Sequence, residues 1–438
     1  MNRYIPSATY TSHLLNERYE KYTHPCGLDI YVFPKKMTTS YAIFGTRYGS
    51  IHNAFRIGDA NELITVPDGI AHFLEHKLFT NEDGTDSFER FSDYGADANA
   101  YTSFNKTAYL FSCTDRFEDS LGELIDFVTH PYFTKESVSS EIGIISEEIR
   151  MYDDNPGDRC FYGMLEAMYE KHSIRRNICG SCESIRKITP ELLYKCYSAF
   201  YQPSNMMLVV CGDIDTKTVL DIAYSHLPKN SDKISVVPIN ENATEPTCVF
   251  TPRVEQKMQV SKPIFNIGFK DVKIPPGGYE RQRKDAAMAI LDEMLFSRAG
   301  HLYSELYESG MISPAFSYGY TISESSAYNS LAGEADDPEA VLKKIRLFLN
   351  DVSLNGLSKK DFERGKRVMY AEFVKSFDST DNIANNLFTF VCEDSELLSY
   401  ADIIESITFE EVCALFEHAF DEDLTAMSVI YPLDKKIN

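Results

Sequence analysis

The sequence predicts an α+β fold made of two homologous α/β domains, and three observations support this. Extended segments alternate with long helical ones along the 438 residues. The chain is too long for one hydrophobic core and suits two domains of ordinary size. The second half also repeats the element order of the first. We therefore expect an internal duplication, in which each domain is a mostly antiparallel sheet flanked by helices.

The first half is expected to contain four strand-rich segments and four helices. Asp68 is a plausible N-cap for the first helix, because a short polar side chain there can accept a backbone hydrogen bond. The strand-rich segments are 22–34, 38–49, 98–111 and 205–214, and the helices are 67–80, 116–128, 134–171 and 190–201.

A change of composition after His226 predicts the domain boundary. Residues 228–252 are polar and hold four prolines, as an interdomain connection does. The predicted organisation is an N-terminal domain at 1–228, a linker at 229–255 and a C-terminal domain at 256–438. In the second half we expect a strand at 261–269, a helix at 281–296, strands within 314–335, helices from 338 onward and a last strand at 424–431.

Two local alignments support the duplication. Residues 133–152 match 357–376 in helical register, and 184–193 resemble 403–412. The first alignment sets Glu148 opposite Glu372, which we interpret as an ordinary helix residue.

Composition excludes several classes of function. A net charge of −23 argues against nucleic acid, whose phosphates demand a basic surface. The acidic residues either form a generic soluble surface or attract cationic substrates into a chamber. No apolar run of eighteen residues predicts a membrane span, and the first residues lack a signal-peptide core, so we expect a cytoplasmic protein.

Most of the ten cysteines are scattered singly, which fits a reducing compartment better than a disulfide framework. Cys179 and Cys182 are the exception. We interpret them as a loop pair, because a redox or second-metal role would need a helix N-terminus or another cysteine pair nearby.

The chemistry is concentrated in the motif His72-Phe73-Leu74-Glu75-His76. Residues four apart on a helix lie above one another, so His72 and His76 can offer two imidazoles to one cation, with Glu75 on the same side. Catalytic zinc takes three protein ligands and keeps a fourth position for water. Glu75 is then free to act as the general base. The alternative is a purely structural histidine pair.

A third ligand is expected from the helix beyond residue 134. Val138, Ile145 and Ile149 mark its buried stripe, together with Ile142. Glu141 and Glu148, seven residues apart, project from nearly one face. Glu148 is the predicted third ligand, and Glu141 would hold a ligand histidine or a water in the right orientation.

The chain resembles the pitrilysin or insulinase family of zinc metallopeptidases, in the processing-peptidase branch and its YmfH-type bacterial group. The resemblance implies one Zn²⁺ per chain, with His72, His76 and Glu148, rather than Glu147, as ligands. It also implies Glu75 as the base and Glu141 as the supporting carboxylate. The matching segments are 66–79, 95–111, 141–159, 184–214 and, more loosely, 302–320.

The resemblance also implies how substrate is bound. Asn99, Ala100 and Tyr101 lie in the family's edge strand beside the zinc, to which an extended peptide adds as one more strand. Asn99 either fixes the scissile backbone or is a turn residue. The family takes an arginine and a tyrosine from its C-terminal half to stabilise the developing oxyanion. This chain offers Tyr318 and Tyr320 there, but no arginine.

Two such domains are half of the family's four-domain clamshell, so a closed chamber implies a dimer. The partner is either a second copy or a homologous non-catalytic subunit, and the absent arginine favours the latter. We therefore expect a metalloendopeptidase acting on peptides or unfolded segments. The alternative is a non-catalytic structural or peptide-binding subunit, which typically loses a ligand or the base. The predicted ligands His72, His76 and Glu148 and the predicted base Glu75 are all present here.

Overall fold

The computed structural model describes residues 3–58, 63–230, 236–239 and 244–434. The chain forms two compact units, each with its own sheet and core. Unit 1 comprises Met1–Ile149, Asn177–Asn240 and Val374–Leu398, and unit 2 comprises Arg150–Arg176, Glu241–Phe373 and Ser399–Asn438.

The described residues contain the following strands and helices. The strands are β1 (Ala8–Ser12), β2 (Glu17–Thr23), β3 (Asp29–Pro34), β4 (Ser40–Thr46), β5 (Ala54–Ile57), β6 (Ile64–Thr65), β7 (Asp97–Thr102), β8 (Thr107–Cys113), β9 (Met206–Gly212), β10 (Val236–Pro238), β11 (Arg253–Met258), β12 (Ile264–Lys270), β13 (Ser317–Ile322), β14 (Ala327–Glu334) and β15 (Thr425–Pro432). The helices are α1 (Ile70–Leu78), α2 (Ser87–Tyr94), α3 (Phe117–Thr129), α4 (Lys135–Asp153), α5 (Pro156–Met168), α6 (Cys182–Ile185), α7 (Pro190–Phe200), α8 (Thr216–His226), α9 (Gly278–Phe296), α10 (His301–Glu308), α11 (Pro338–Asn355), α12 (Lys359–Lys375), α13 (Thr380–Cys392), α14 (Ser399–Ser406) and α15 (Phe409–Ala419).

Unit 1 is organised around a seven-stranded sheet in the order β1-β2-β3-β9-β4-β8-β7. Strands β3 and β9 are parallel, and the other neighbours are antiparallel. Every residue of β4 and β9 is buried, as expected for central strands covered on both faces. Strand β7 lies at one edge. A small sheet, β10-β5-β6, completes the strands described in this unit.

Unit 2 repeats the central topology of unit 1. Its five-stranded sheet has the order β11-β15-β12-β14-β13, with β11 and β15 parallel and the remaining pairs antiparallel. The same order and the same strand directions run through β3-β9-β4-β8-β7. The predicted α+β fold of two duplicated domains is therefore confirmed.

Each unit contains a helix whose residues lie in the opposite half of the sequence. Helix α5 belongs to unit 2, where it packs on β12 and β15. Helix α13 belongs to unit 1 and packs on β4 and β9, with the Phe388 ring lying directly over Gly45. The division at residues 229–255 stays a prediction about sequence repeats, because compact units can include segments from either side of it.

The helix predicted at 134–171 is two helices, α4 and α5. Asn155 caps α5 by accepting hydrogen bonds from the Gly157 and Asp158 amides. Pro156 follows at the first helical position, where its missing N–H costs nothing, and the residue before a proline avoids helical geometry. These two residues end α4 and start a new helix.

The predicted N-cap of α1 is wrong by one residue. Gly69 occupies the cap with a φ of 91°, and no side chain caps the helix. The Asp68 carboxylate instead accepts a hydrogen bond from Asn53 Nδ2 at 2.6 Å. Glycine is required here because its backbone is left-handed and closely packed.

None of the described helices is long and apolar enough to cross a membrane.

Candidate metal centre

Helix α1 presents the two motif histidines and Glu75 from a firmly buried position. Phe73 and Leu74 are fully buried, so the helix cannot rotate without exposing them. His72 and His76 lie one turn apart, with ring centroids separated by 4.6 Å. His72 and Glu75 are each only 7% exposed.

Helix α4 brings Glu148 to both imidazoles. Its Oε1 lies 3.6 Å from His72 Nε2, and its Oε2 lies 3.4 Å from His76 Nε2. Two ligands that are each 2.0–2.1 Å from a tetrahedral zinc ion are separated by about 3.3 Å. Each gap is close to that value, although the two involve different oxygens of Glu148, so each imidazole lies at ligand spacing from this carboxylate.

The bonding state of Glu148 also fits a cation. Its Oε2 is buried and has no hydrogen-bond partner among the described residues. The interaction with the His72 imidazole lowers the pKa of the Glu148 carboxyl. A buried, ionised carboxylate oxygen without a donor carries a desolvation cost that a metal ion would offset. Glu147, the next residue along the chain, is exposed.

Glu141 lies two helical turns before Glu148 on α4 and supports the centre from there. Its Oε1 lies 3.3 Å from His76 Nδ1, and its Oε2 accepts a hydrogen bond from Lys77 Nζ at 3.2 Å. Burial alone would raise the pKa of Glu141, but His76 and Lys77 outweigh it and lower that pKa. Because the carboxylate faces Nδ1, the opposite ring nitrogen of His76 is directed at Glu148.

Glu75 lies on the same face of α1 and is held by the neighbouring strand. The Thr102 hydroxyl at the end of β7 donates a hydrogen bond to Glu75 Oε2. Desolvation by burial raises the pKa of Glu75 above its ordinary value, although His72 acts in the opposite direction. A raised carboxyl pKa suits a group that must both accept and return a proton.

Cys179 joins this cluster, and the sequence interpretation missed it. Its Sγ lies 3.8 Å from His72 Nε2. One ligand atom from each of His72, Glu148 and Cys179 lies within 4.8 Å of the other two, in a group that among the described residues does not include His76. The expectation of a simple loop pair overlooked this contact, because 107 residues separate the cysteine from His72. No local pattern signals a contact of that range.

The edge strand predicted to bind substrate is an edge in the structure. Strand β7 pairs only with β8 in the described sheet. Side chains alternate along a strand, so Ala100 shares the Thr102 face, whereas Asn99 and Tyr101 face the other way. Asn99 Oδ1 accepts a hydrogen bond from the Ala100 amide at 2.8 Å, and the Tyr101 hydroxyl lies 3.5 Å from Asn385 Oδ1 on α13. The side chains of Asn99 and Tyr101 are thus turned away from Glu75.

Tyr318 and Tyr320 lie on β13, the edge strand of unit 2. The Tyr318 hydroxyl donates to Glu293 and the Tyr320 hydroxyl donates to Asp271, each at 2.8 Å. Burial, reinforced by these carboxylates, raises the pKa of both phenols. Both tyrosines therefore remain protonated donors, but each donates to a carboxylate of its own unit.

Comparison with known families finds two models that match this chain. The family model described as insulinase (peptidase family M16) matches residues 58–181, and the model described as the peptidase M16 inactive domain matches residues 187–369. The chain therefore belongs to the insulinase family, peptidase family M16.

Individual relatives align with nearly the whole length of this chain. YmfH of Bacillus subtilis (strain 168), described as an uncharacterized zinc protease, is 39% identical over 93% of this chain and 95% of its own length. The crystal structure of an M16-like peptidase from Alicyclobacillus acidocaldarius has a TM-score of 0.90 and 32% identity, covering 94% of this chain and 98% of that one. An M16 inactive domain from Pseudomonas fluorescens shares the fold alone, with a TM-score of 0.75, 17% identity, and coverage of 96% of this chain and 100% of that one. The chain is thus homologous to proteins described as zinc proteases.

Proposed function

We propose that this chain is a zinc-dependent endopeptidase that holds one Zn²⁺ through His72, His76 and Glu148. The observation that carries the proposal is the position of the Glu148 carboxylate. It faces an imidazole nitrogen with each oxygen, and its Oε2 is buried without a hydrogen-bond donor among the described residues. Homology to zinc proteases supports the same ion.

When bound, zinc supplies Lewis acidity that lowers the pKa of a water molecule to about 7 and polarises the scissile carbonyl. Glu75 accepts the proton that the attacking water loses and returns it to the leaving amine nitrogen. The hydrogen bond from Thr102 fixes the Glu75 carboxylate beside β7. Glu141 holds the His76 ring in its orientation, as carboxylate partners of metal-binding histidines do.

The substrate in this proposal is an extended peptide or an unfolded segment that pairs with the free edge of β7. Main-chain hydrogen bonds along an edge strand do not select side chains, so binding requires an extended backbone more than a particular sequence. Ala100, whose side chain is a single methyl group, shares the Thr102 face of β7. Asn99 and Tyr101 would contribute through their main chain.

The proposal includes a second chain and a cytoplasmic location. A closed chamber would pair this chain with itself or with a homologous non-catalytic subunit. Tyr318 or Tyr320 would have to release its carboxylate partner, Glu293 or Asp271, to donate to the oxyanion, and the partner chain would bring an arginine. Co-purification from the native host followed by mass analysis identifies the partner.

A substitution of the base tests the proposed chemistry. Glu75→Gln should bind zinc as the unmodified protein does, but should hydrolyse a fluorogenic peptide at least about 100-fold more slowly, because general-base catalysis contributes that much. Glu148→Gln should lose both zinc and activity. Glu147→Gln is the matched control, since its exposed carboxylate lies one residue away, and it should keep both. Zinc content and turnover are measured on the same samples.

The competing function is a non-catalytic structural or peptide-binding subunit. It predicts no chelator-sensitive hydrolysis by the zinc-loaded protein, even with its partner present. Full activity in Glu75→Gln would instead remove Glu75 as the base. The presence of both histidines, Glu75 and Glu148 favours the catalytic function over a subunit that has lost its chemistry.

A further inference from the structure

The loop that carries Cys179 is locked against the start of α1 by two glycines. A Cβ atom on Gly69 would lie 2.4 Å from the Cys179 carbonyl oxygen, and one on Gly180 would lie 2.4 Å from the Asp68 carbonyl oxygen. Both glycines have positive φ angles, 91° and 74°. The two backbones can approach this closely only because neither residue has a side chain.

Hydrogen bonds on either side of Cys179 fix the same loop. The Cys179 amide donates to Asn177 Oδ1 at 2.9 Å, and the Ser184 hydroxyl donates to the Asp68 carbonyl at 2.7 Å. This holds the buried Cys179 against Gly69, three residues before His72. The thiol is therefore held in position rather than carried on a loose segment.

The position of the Cys179 sulfur matches a metal ligand. Zinc bonds of about 2.3 Å to sulfur and 2.0–2.1 Å to nitrogen put tetrahedral S and N ligands about 3.6 Å apart. The measured distance from Cys179 Sγ to His72 Nε2 is 3.8 Å. Glu148 completes a group whose ligand atoms lie within 4.8 Å of one another. The buried Oε2 of Glu148 has no hydrogen-bond partner among the described residues.

We propose that Cys179 is a further ligand of the metal centre, and that its thiolate can take the fourth position that the hydrolytic reaction needs for water. This rests on the proposed zinc site. On coordination the S–H bond breaks, its electron pair is donated by sulfur to zinc, and the proton and the displaced water leave to solvent. The centre would then have a resting form closed by sulfur and a working form, in which water occupies the fourth position and the released thiolate has taken a proton back from solvent.

Cobalt substitution tests this without an activity measurement. Co²⁺ bound to the unmodified protein should show a sulfur-to-cobalt charge-transfer absorption in the near ultraviolet. Cys179→Ala should lose that absorption. Cys182→Ala, which removes a thiol three residues away at the start of α6, should keep it. Cys179→Ala should also weaken zinc binding at least about tenfold, since losing even an outer partner of a ligand costs 10–100-fold.

X-ray absorption at the zinc edge of the unmodified protein gives a readout that needs no variant to fold. One sulfur at about 2.3 Å is expected beside the nitrogen and oxygen ligands. Nitrogen and oxygen alone, or failure to bind either metal, overturns the inference. Chelator-sensitive hydrolysis without a sulfur signal would leave the proposed function standing while refuting Cys179. A sulfur signal without hydrolysis would support Cys179 as a ligand while refuting the proposed endopeptidase activity.

Discussion

Asp292 on α9 is a residue whose burial has a direct consequence for stability. It is 1% exposed and accepts a hydrogen bond from Asn329 Nδ2, while its Oδ2 has no partner among the described residues. Burial raises the pKa of this carboxyl from 3.8 to about 8. At neutral pH the folded state therefore holds the carboxyl in its protonated form, whereas the unfolded chain releases the proton.

This difference predicts how stability changes with pH. Between pH 3.8 and about 8 the folded protein binds one proton more than the unfolded chain at Asp292, so the contribution of this residue falls as pH rises. Asp292→Asn removes that loss, and should raise the free energy of unfolding at pH 8 by on the order of a few kcal/mol. Urea unfolding at pH 5 and pH 8 measures it.

The exposed carboxylate of Asp402 is the control for that measurement. Asp402→Asn should follow the unmodified protein closely at both pH values, because substitutions of exposed surface residues change the free energy of unfolding little. If the stabilisation by Asp292→Asn is the same at pH 5 as at pH 8, Asp292 does not titrate in the way its burial implies.

The side chains of the candidate metal centre differ in how far the sequence alone predicted that they lie close together. His72, Glu75 and His76 lie on one helical turn, so their spacing alone predicts that they share a face. The helical register of α4 placed Glu141 and Glu148 on nearly one face, which predicted Glu148 as the third ligand, and the resemblance implied Glu148 rather than Glu147 as well. Cys179 reaches the centre through a loop packed on the start of α1, and a contact of that kind leaves no periodic pattern in the sequence.

At the scale of elements, the contact between the Cys179 loop and α1 depends on Gly180. Gly180→Ala adds a Cβ that would meet the Asp68 carbonyl at 2.4 Å, and this backbone atom cannot rotate away. Gly84→Ala is the matched control, since Gly84 also has a positive φ, 81°, but no described atom lies within 4 Å of its added Cβ. Both variants carry the left-handed strain of about 1–2 kcal/mol.

Gly180→Ala should therefore destabilise the protein more than Gly84→Ala, by at least about 1 kcal/mol. It should also weaken zinc binding, because the shifted loop and α1 carry Cys179 and His72. Thermal unfolding and zinc titration of the two variants make the comparison. Equal losses in both would show that the close packing at Gly180 contributes nothing beyond its backbone conformation.

The elements that the sequence predicted well have long, regular patterns. The strands near 205–214 and 424–431 and the helices near 116–128 and 190–201 are found within a few residues of their predicted ends. Helix α2 was missed, because its eight residues between two loops give a weak periodic signal. The boundary between α4 and α5 was also missed, although Asn155-Pro156 is a recognisable start signal.

Across the whole molecule, the repeated sheet order reflects the duplication, whereas the proposed metal ligands lie in one copy. His72, His76, Glu148 and Cys179 all belong to unit 1. Among the described residues, the group of closely spaced ligand atoms contains no residue of unit 2. In the described part of the chain, Glu372 is an exposed residue of α12. The second copy keeps the fold without the donors.

The assignment of helices to units could not be predicted from the sequence. Helices α5 and α13 have apolar faces that suit any sheet of the right shape, and local pattern does not say which sheet they cover. A division of the chain by composition therefore separates the repeats, but it does not describe the two compact cores. Long-range packing decides this, and a single sequence does not display it.

The most direct test of the central claim is an anomalous difference map, recorded at the zinc absorption edge, from crystals of the zinc-loaded protein. We expect one strong peak per chain within bonding distance, about 2.0–2.2 Å, of His72 Nε2, His76 Nε2 and a Glu148 carboxylate oxygen. A map with no peak among these three side chains, in a protein that is folded and exposed to ample zinc, would show that they do not hold the proposed zinc ion.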